Sequence, residues 1–304
     1  MMRLSMLQQE IKQLLKEKHA ILLAHYYQRD EIQEIADILG DSLVLSMEAA
    51  RADAEVLVFA GVHFMAESAS ILSPDKTVLL PRSDAGCPLA DMITPEALLA
   101  ARKDHPDAAV VTYINSSAAI KALSDICCTS ANAVQVVRSL GGVKEILMIP
   151  DGNLARHVAG QTDRKIIPWE GYCPVHHFLS AQQVKRVRAM HPGAAFAAHP
   201  ECRQEVLALA DYVGSTTGII RYAGQDHVRE MIVGTECGVF YQLKKNYPEK
   251  IFIPASDQMF CQDMKKITLE EIRDALMEMK TVVKVSEDVR IPAKKALERM
   301  LAVS

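Results

Sequence analysis

AILLAH at residues 20–25 opens a series, continued by Ala36-Asp37, GDS at 40–42, EVLVFAG at 55–61 and KTVLLP at 76–81, that closes on Cys87. The same order returns as AVVTYIN (109–115), Ser124-Asp125, TSAN (129–132), KEILMIP (144–150), RKIIPW (164–169) and Cys173. It returns again as AAFAAHPE (194–201), Ala210-Asp211, GSTTG (214–218), REMIVGTE (229–236), EKIFIP (249–254) and Cys261. Aspartates 37, 125 and 211, prolines 81, 168 and 254, and the three cysteines all keep offsets of 86 to 88 residues. Offsets shared by so many positions signal duplicated domains rather than a short-repeat solenoid.

Within each unit, short Val/Ile/Leu-rich runs alternate with stretches of helical period, the pattern of parallel strands joined by helices and buried on both faces. Leu4, Leu7, Ile11, Leu14 and Leu15 form a helical stripe before the first strand, and Ile32, Ile35 and Leu39 form another after it. Ser5 with Gln8, Ser180 with Gln183 and Thr268 with Glu271 read as capping boxes, and Thr94 precedes a proline at the first helical position. The expected fold is α/β, with three pseudo-threefold-related αβα three-layer domains, each holding a small parallel sheet. The expected units are 1–92 with 268–304, 93–179, and 180–267. Thr268 opens a fourth, incomplete unit without a cysteine, expected to pack back on the first. Ligand crevices of parallel sheets lie at the carboxyl ends of the strands, and the repeated polar motifs all fall there. Three crevices then face one centre.

Composition narrows the function classes. The 304 residues are 49% hydrophobic, with a net charge of −4 and no long Lys/Arg run, so no nucleic-acid footprint is present. Lys185, Arg186 and Arg188 lie on an amphipathic helical pattern and read as a solvated face. No segment approaches the ~20 apolar residues of a membrane span, and Met1 to Lys18 reads as an amphipathic helix rather than a signal peptide. Seven cysteines, an odd number without an export signal, favour reduced thiols or a metal site over disulfides. A cytoplasmic enzyme is the expectation. Dinucleotide, P-loop, zincin and Ser-hydrolase signatures are absent.

Cys87, Cys173 and Cys261 carry the chemistry. Three thiolates converging on one point can hold a metal ion or an iron-sulfur cluster, and Cys87-Pro88 and Cys173-Pro174 carry a pairing found in some cluster loops. A four-iron cubane with three cysteine ligands leaves one iron open as a Lewis acid. Tetrahedral zinc needs a further ligand, for which His176 is available. Free cysteines usually pack as small hydrophobes, but packing does not require a thiol at the same point of every repeat. Cys127, Cys128, Cys202 and Cys237 each occur in one unit only, and adjacent Cys127 and Cys128 cannot face one site from a strand.

A second constellation surrounds the thiols. The first strand of each unit ends in His25-Tyr26-Tyr27, Tyr113-Ile114-Asn115 or His199-Pro200-Glu201. The next loop ends in hydroxyls expected at a helix start: Asp41-Ser42, Thr129-Ser130 and Ser215-Thr216-Thr217. A Ser or Thr there is commonly just an N-cap, and a lone strand-end histidine commonly structural. Threefold recurrence favours function for His25, Asn115, His199, Ser42, Ser130 and Thr216. Helix N-termini bind phosphate or carboxylate, so three of them in one cavity predict a substrate with several anionic groups. Glu201 and Tyr27 are the acid-base candidates. His63, His105, His157, His177, His191 and His227 have no counterparts and read as structural or surface residues.

AHYYQ (24–28), GDSL (40–43), FAGVHFMAE (59–67), CPLA (87–90), YINS (113–116), CTSAN (128–132), GYCPVHH (171–177), HPEC (199–202), DYVGST (211–216), GTE (234–236) and the Cys261 segment resemble the quinolinate synthase family. The likeness runs in order along almost the whole chain. It implies three αβα domains around an oxygen-sensitive 4Fe-4S cluster. It also implies condensation of iminosuccinate, made from aspartate, with dihydroxyacetone phosphate to give quinolinate for NAD biosynthesis.

By that resemblance the cluster ligands are Cys87, Cys173 and Cys261, with one iron open. Substrate and product contacts fall on His25, Ser42, Tyr113, Asn115, Ser130, His199, Glu201 and Thr216. Tyr27 matches a tyrosine implicated in catalysis, with Glu201 and the Tyr27/His25 pair expected to move protons. Tyr26 stands where some members have Asn. No thiol switch is expected beside Cys261, because the Cys-rich run of some relatives is missing. Iminosuccinate implies a functional link to an aspartate-oxidising enzyme. The rival readings are an aconitase-like hydro-lyase using the open iron to dehydrate a small hydroxy acid, and a non-catalytic zinc scaffold or redox sensor.

Overall fold

Residues 5–303 are described by a computed structural model. The first unit runs α1 (Met6–Glu17), β1 (Ala20–His25), α2 (Asp30–Ile35), β2 (Ile38–Gly40), α3 (Ser42–Arg51), β3 (Val56–Ala60), α4 (His63–Leu72) and β4 (Thr77–Leu79). The second runs α5 (Pro95–Asp104), β5 (Ala109–Tyr113), α6 (Ala118–Ala122), β6 (Ile126–Cys128), α7 (Ala133–Ser139), β7 (Glu145–Ile149), α8 (Gly152–Ala159) and β8 (Lys165–Pro168). After α9 (Pro174–His177), the third begins with α10 (Ala181–Met190), β9 (Ala195–Ala198), α11 (Gln204–Leu207) and β10 (Tyr212–Val213). It ends with α12 (Thr216–Ala223), β11 (Glu230–Gly234), α13 (Val239–Asn246) and β12 (Ile251–Pro254), and α14 (Leu269–Glu278) and α15 (Glu287–Ala302) follow.

The sheets share one order, β2-β1-β3-β4, β6-β5-β7-β8 and β10-β9-β11-β12, and every ladder is parallel. In each, the first strand is central and the chain leaves it first to one side and then to the other. That reversal opens a crevice beyond its carboxyl end, where His25, Tyr113 and His199 stand. Pro168 and Pro254 sit at the ends of outer strands, where a missing N–H breaks no inner ladder.

The periodic aspartates explain how each unit holds its shape. Asp37, Asp125 and Asp211 follow the first crossover helix, and their carboxylates accept the N–H of Leu22 (2.9 Å), Val110 (2.8 Å) and Phe196 (2.7 Å). Their own N–H groups donate to the carbonyls of the same three residues. A cation flanks each, Lys12, Arg102 and Arg188.

Several local expectations need correction. Leu39 lies in β2, not on the helix with Ile32 and Ile35, because the backbone turns extended at Ala36 before the Asp37 latch. Leu4 is outside the described residues. Ser5 and Ser180 form full capping boxes, whereas Thr268 only accepts the Glu271 N–H, since the Glu271 carboxylate turns to Arg82 at 3.2 Å. Ser42 and Thr216 are first residues of α3 and α12, after the capping side chains of Asp41 and Ser215. Thr129-Ser130 is not a helix start: Asn132 folds back onto Thr129 and α7 begins at Ala133.

The C-terminal segment splits its packing. Helix α14 lies against α1, and Val282 forms an antiparallel bridge with Leu79. Helix α15 packs on α6 and β6 and also on α4, so it bridges the first and second sheets. No helix among the described residues is long and apolar enough to cross a membrane.

Candidate active site

The three crevices open into one cavity of about 340 Å³. His25, Tyr27 and Ser42 of the first unit, Tyr113, Asn115 and Ser130 of the second, His199, Glu201 and Thr216 of the third, and Cys87, Cys173 and Cys261 all line it. Val62, Phe64, Met65 and Leu89 supply an apolar wall. Cys127 and Cys128 lie in the core on β6, Cys202 is buried against the Gly234 carbonyl, and Cys237 sits beside Glu236, all away from the cavity surface.

Glu201 is the hub. Its Oε2 lies 2.7 Å from His176 Nδ1 and 3.3 Å from His199 Nδ1, with all three side chains buried. His199 Nε2 reaches Ser130 Oγ at 3.1 Å. His176 Nε2 reaches Thr235 Oγ1 at 2.9 Å, which meets the Tyr27 hydroxyl at 2.7 Å; that hydroxyl also meets Thr216 at 2.8 Å. A continuous polar chain thus runs from Ser130 through Glu201 to Tyr27, crossing all three units. Glu201 Oε1 and Asn115 Oδ1 are buried and have no protein partner among the described residues. Buried polar atoms are rarely left unpaired, so these two are the natural points for a bound molecule.

Electrostatics sort the roles. Burial pushes the Glu201 carboxyl up, but His199 and His176 outweigh it and hold the pKa well below the usual carboxylate range. Burial, and then the Glu201 charge, push the phenols of Tyr27 and Tyr113 well above theirs. Glu201 is therefore ionised, and both tyrosines keep their protons. Burial lowers His25 to about 4, so it is neutral. Its Nδ1 accepts the Tyr27 N–H at 3.1 Å, which leaves its proton on Nε2.

The thiols are partly buried and mutually repelling as anions. Burial, then the nearby Cys261 charge, pushes Cys87 up to about 12; Cys261 rises to about 11, and Cys173 rises through burial, Glu201 and Cys87. The backbone N–H three residues on, at Ala90, His176 and Met264, supports each sulfur. Thiols so placed become ligands only when a cation replaces their protons. Cys173, His176 and Glu201 also bring donor atoms within 4.8 Å of one another, a group able to hold a metal ion. The donor set fits a metal group bound at this end of the cavity.

His176 is the main residue that repeat logic misses: it occurs in one unit only and is noticed in the sequence just as a fourth zinc ligand. Thr235 is missed for the same reason. The unmatched histidines bind elsewhere; His191 pairs with Glu230 at 2.7 Å, and His177 stacks on Tyr172.

Three αβα units closing on one cavity, with three thiols and a carboxylate-histidine-tyrosine network lining it and a Cys-His-Glu group able to hold a metal ion, have the make-up of an enzyme. The family model described as Quinolinate synthetase A protein matches residues 9–302. The chain is 57% identical over 297 residues to the quinolinate synthase of Geobacter sp. (strain M21), covering 98% of this chain and 97% of that one. It is 59% identical over 294 residues to that of Geotalea uraniireducens (strain Rf4), covering 97% and 96%. To quinolinate synthase 1 of Methanosarcina acetivorans it is 55% identical over 293 residues, covering 96% of both. The chain belongs to the quinolinate synthase family.

Proposed function

We propose that the chain condenses iminosuccinate with dihydroxyacetone phosphate, giving quinolinate, one phosphate and two waters, around a 4Fe-4S cluster held by Cys87, Cys173 and Cys261. The observation that carries this reading is the convergence of three ligand-type thiols and one acid-base relay from three separate units on a single cavity. When bound, the cluster supplies an open iron that acts as a Lewis acid toward a substrate oxygen or nitrogen.

The chain's own residues account for the rest. Glu201, ionised and with Oε1 free, takes protons from substrate carbon. Tyr27, kept protonated and held by Thr216 and Thr235, gives a proton to departing or developing oxygen, and His25 Nε2–H orients that group. Tyr113 and Asn115 orient the dicarboxylate, with Ser130 fixed by His199. The starts of α3 and α12, at Ser42 and Thr216, present N–H and hydroxyl donors to carboxylate and phosphate. The apolar wall excludes water that hydrolyses an imine. We place the enzyme in the cytoplasm, downstream of an aspartate-oxidising enzyme that supplies the imine.

Anaerobic reconstitution tests the reading. Four irons and four sulfides per chain, and quinolinate formed from oxaloacetate, ammonia and dihydroxyacetone phosphate, are expected. A colourless zinc protein, or dehydration of hydroxy acids without quinolinate, sinks it.

A further inference from the structure

Two residues after the third strand of each sheet stand Val62, Asp151 and Glu236. The two acids are buried, and each carboxylate divides its oxygens in the same way. Asp151 Oδ1 accepts the Leu154 N–H at the start of α8 (2.7 Å), while Oδ2 accepts the N–H of Cys173 (3.2 Å). Glu236 Oε2 accepts the Gly238 N–H before α13 (2.6 Å), while Oε1 accepts the N–H of Cys261 (3.0 Å). In the first unit Val62 has no carboxylate, and the loop leading to Cys87 is instead held by the His63 N–H on the Ala85 carbonyl, at 2.8 Å.

Glu236 has a further partner. Lys265, four residues beyond Cys261 and nearly buried, pairs with Glu236 at 3.0 Å. The same ammonium donates to the backbone carbonyl of Tyr27, in the first unit. Arg29 returns across the seam, its guanidinium donating to the Lys265 carbonyl at 3.0 and 2.7 Å. Tyr27, Lys265, Glu236 and the Cys261 amide are thus joined in one line from the relay to the thiol loop.

We propose that Asp151 and Glu236 are positioning residues for the ligand cysteines 173 and 261, and that Lys265 makes Glu236 set Tyr27 and Cys261 together. A buried carboxyl group held at both oxygens by backbone N–H groups has one orientation, so each acid fixes the angle at which its cysteine loop presents sulfur. An isolated buried carboxylate is poorly tolerated, so loss of Lys265 disturbs Glu236 and reaches both Tyr27 and Cys261. The inference rests on the cluster reading.

The test uses anaerobically reconstituted full-length protein, measuring iron per chain and the rate at which iron passes to a ferrous chelator. Far-UV circular dichroism monitors folding. Asp151→Ala and Glu236→Ala should release iron roughly tenfold faster or more, whereas Asp151→Asn and Glu236→Gln, whose single amide oxygen still accepts the cysteine N–H while the NH2 meets the second backbone N–H, should fall between the alanine variants and the parent. Lys265→Met should speed iron release and lower kcat roughly tenfold with KM little changed, and adding Glu236→Gln should partly restore iron retention by making the pair neutral. Folded alanine variants that hold iron as the parent does overturn the proposal. If the alanine variants do not fold, Lys265→Met with parental iron release and kcat overturns it. A parent chain that binds no iron refutes the cluster reading itself, and this inference with it.

Discussion

His176 Nδ1 lies 2.7 Å from Glu201 Oε2, and the other ring nitrogen of that histidine continues through Thr235 to the Tyr27 hydroxyl. The acid-base pair expected from Glu201 and Tyr27 is therefore a connected relay. Glu201→Gln keeps the size of the side chain and removes its ability to take a proton. The expected result is a fall in kcat of roughly 10²- to 10⁴-fold with an unchanged iron-sulfur absorption spectrum. Near-parental turnover by the purified variant would refute the role.

What the sequence shows and what it hides follow from the same duplication. Positions that recur, such as the strand runs, the three aspartates and the three cysteines, are legible because each copy meets the same local constraint. The lining residues are legible because the first strand of every sheet ends at the cavity. His176, Thr235 and Lys265 are hidden because each occurs once and acts across a seam between units, where linear spacing carries no information. The misread helix start at Thr129-Ser130 has a local cause: Asn132 competes for the cap by binding Thr129. The place of α15 across two sheets is likewise a tertiary outcome, set by its apolar face finding α6 and β6.

Cysteine substitutions separate cavity thiols from core thiols. Cys87→Ser, Cys173→Ser and Cys261→Ser should each lose most reconstituted iron, because a hydroxyl is a poor ligand where a thiolate is required. Cys237→Ser should retain parental iron, as its sulfur faces Glu236 rather than the cavity. Iron analysis after anaerobic desalting decides it; an iron-replete Cys261→Ser protein would contradict the assignment.

Acid should weaken the metal-free fold before any surface carboxylate titrates. Buried His25 holds a pKa of about 4 against about 6.5 in the unfolded chain, and burial lowers His199 in the same direction. Between these values the unfolded state binds the extra proton, so stability falls as pH falls, by about 2 kcal/mol for His25 alone at pH 5. Glu201, with its folded pKa depressed, adds a loss only below about pH 4.3, where the unfolded carboxylate takes its proton. Urea midpoints at pH 7 and 5 should differ for the parent and differ less for His25→Gln, with His199 supplying the remainder. A parent midpoint flat across this range speaks against buried neutral histidine.

The aspartate latches give a stability effect without a catalytic one. Val110 is fully buried, and Asp125→Ala strips its N–H of the 2.8 Å acceptor. An orphaned buried donor costs about 1–3 kcal/mol, while the flanking Arg102 pair is partly exposed and adds little. Asp37→Ala and Asp211→Ala should behave alike, since Leu22 and Phe196 are equally buried. Urea unfolding should show the loss with KM and kcat unchanged; a kinetic defect at unaltered stability would assign these residues a different job.

Gly238 of the third unit lies tight against the Tyr27 backbone of the first. A Cβ added there would stand 2.7 Å from the backbone of Tyr27 and 2.8 Å from Lys265 Nζ, distances at which something must shift. The Tyr27 carbonyl is gripped by Lys265 and its amide by His25 Nδ1, so the strain cannot be relieved by a side-chain rotation. Gly238→Ala should move the Tyr27 hydroxyl off Thr216 and Thr235, and a displacement of that order costs roughly 10²-fold in rate. Steady-state kinetics on folded, iron-loaded protein should place the loss in kcat. Gly141→Ala, where the added carbon meets nothing within 4 Å, is the matched control and should turn over as the parent does.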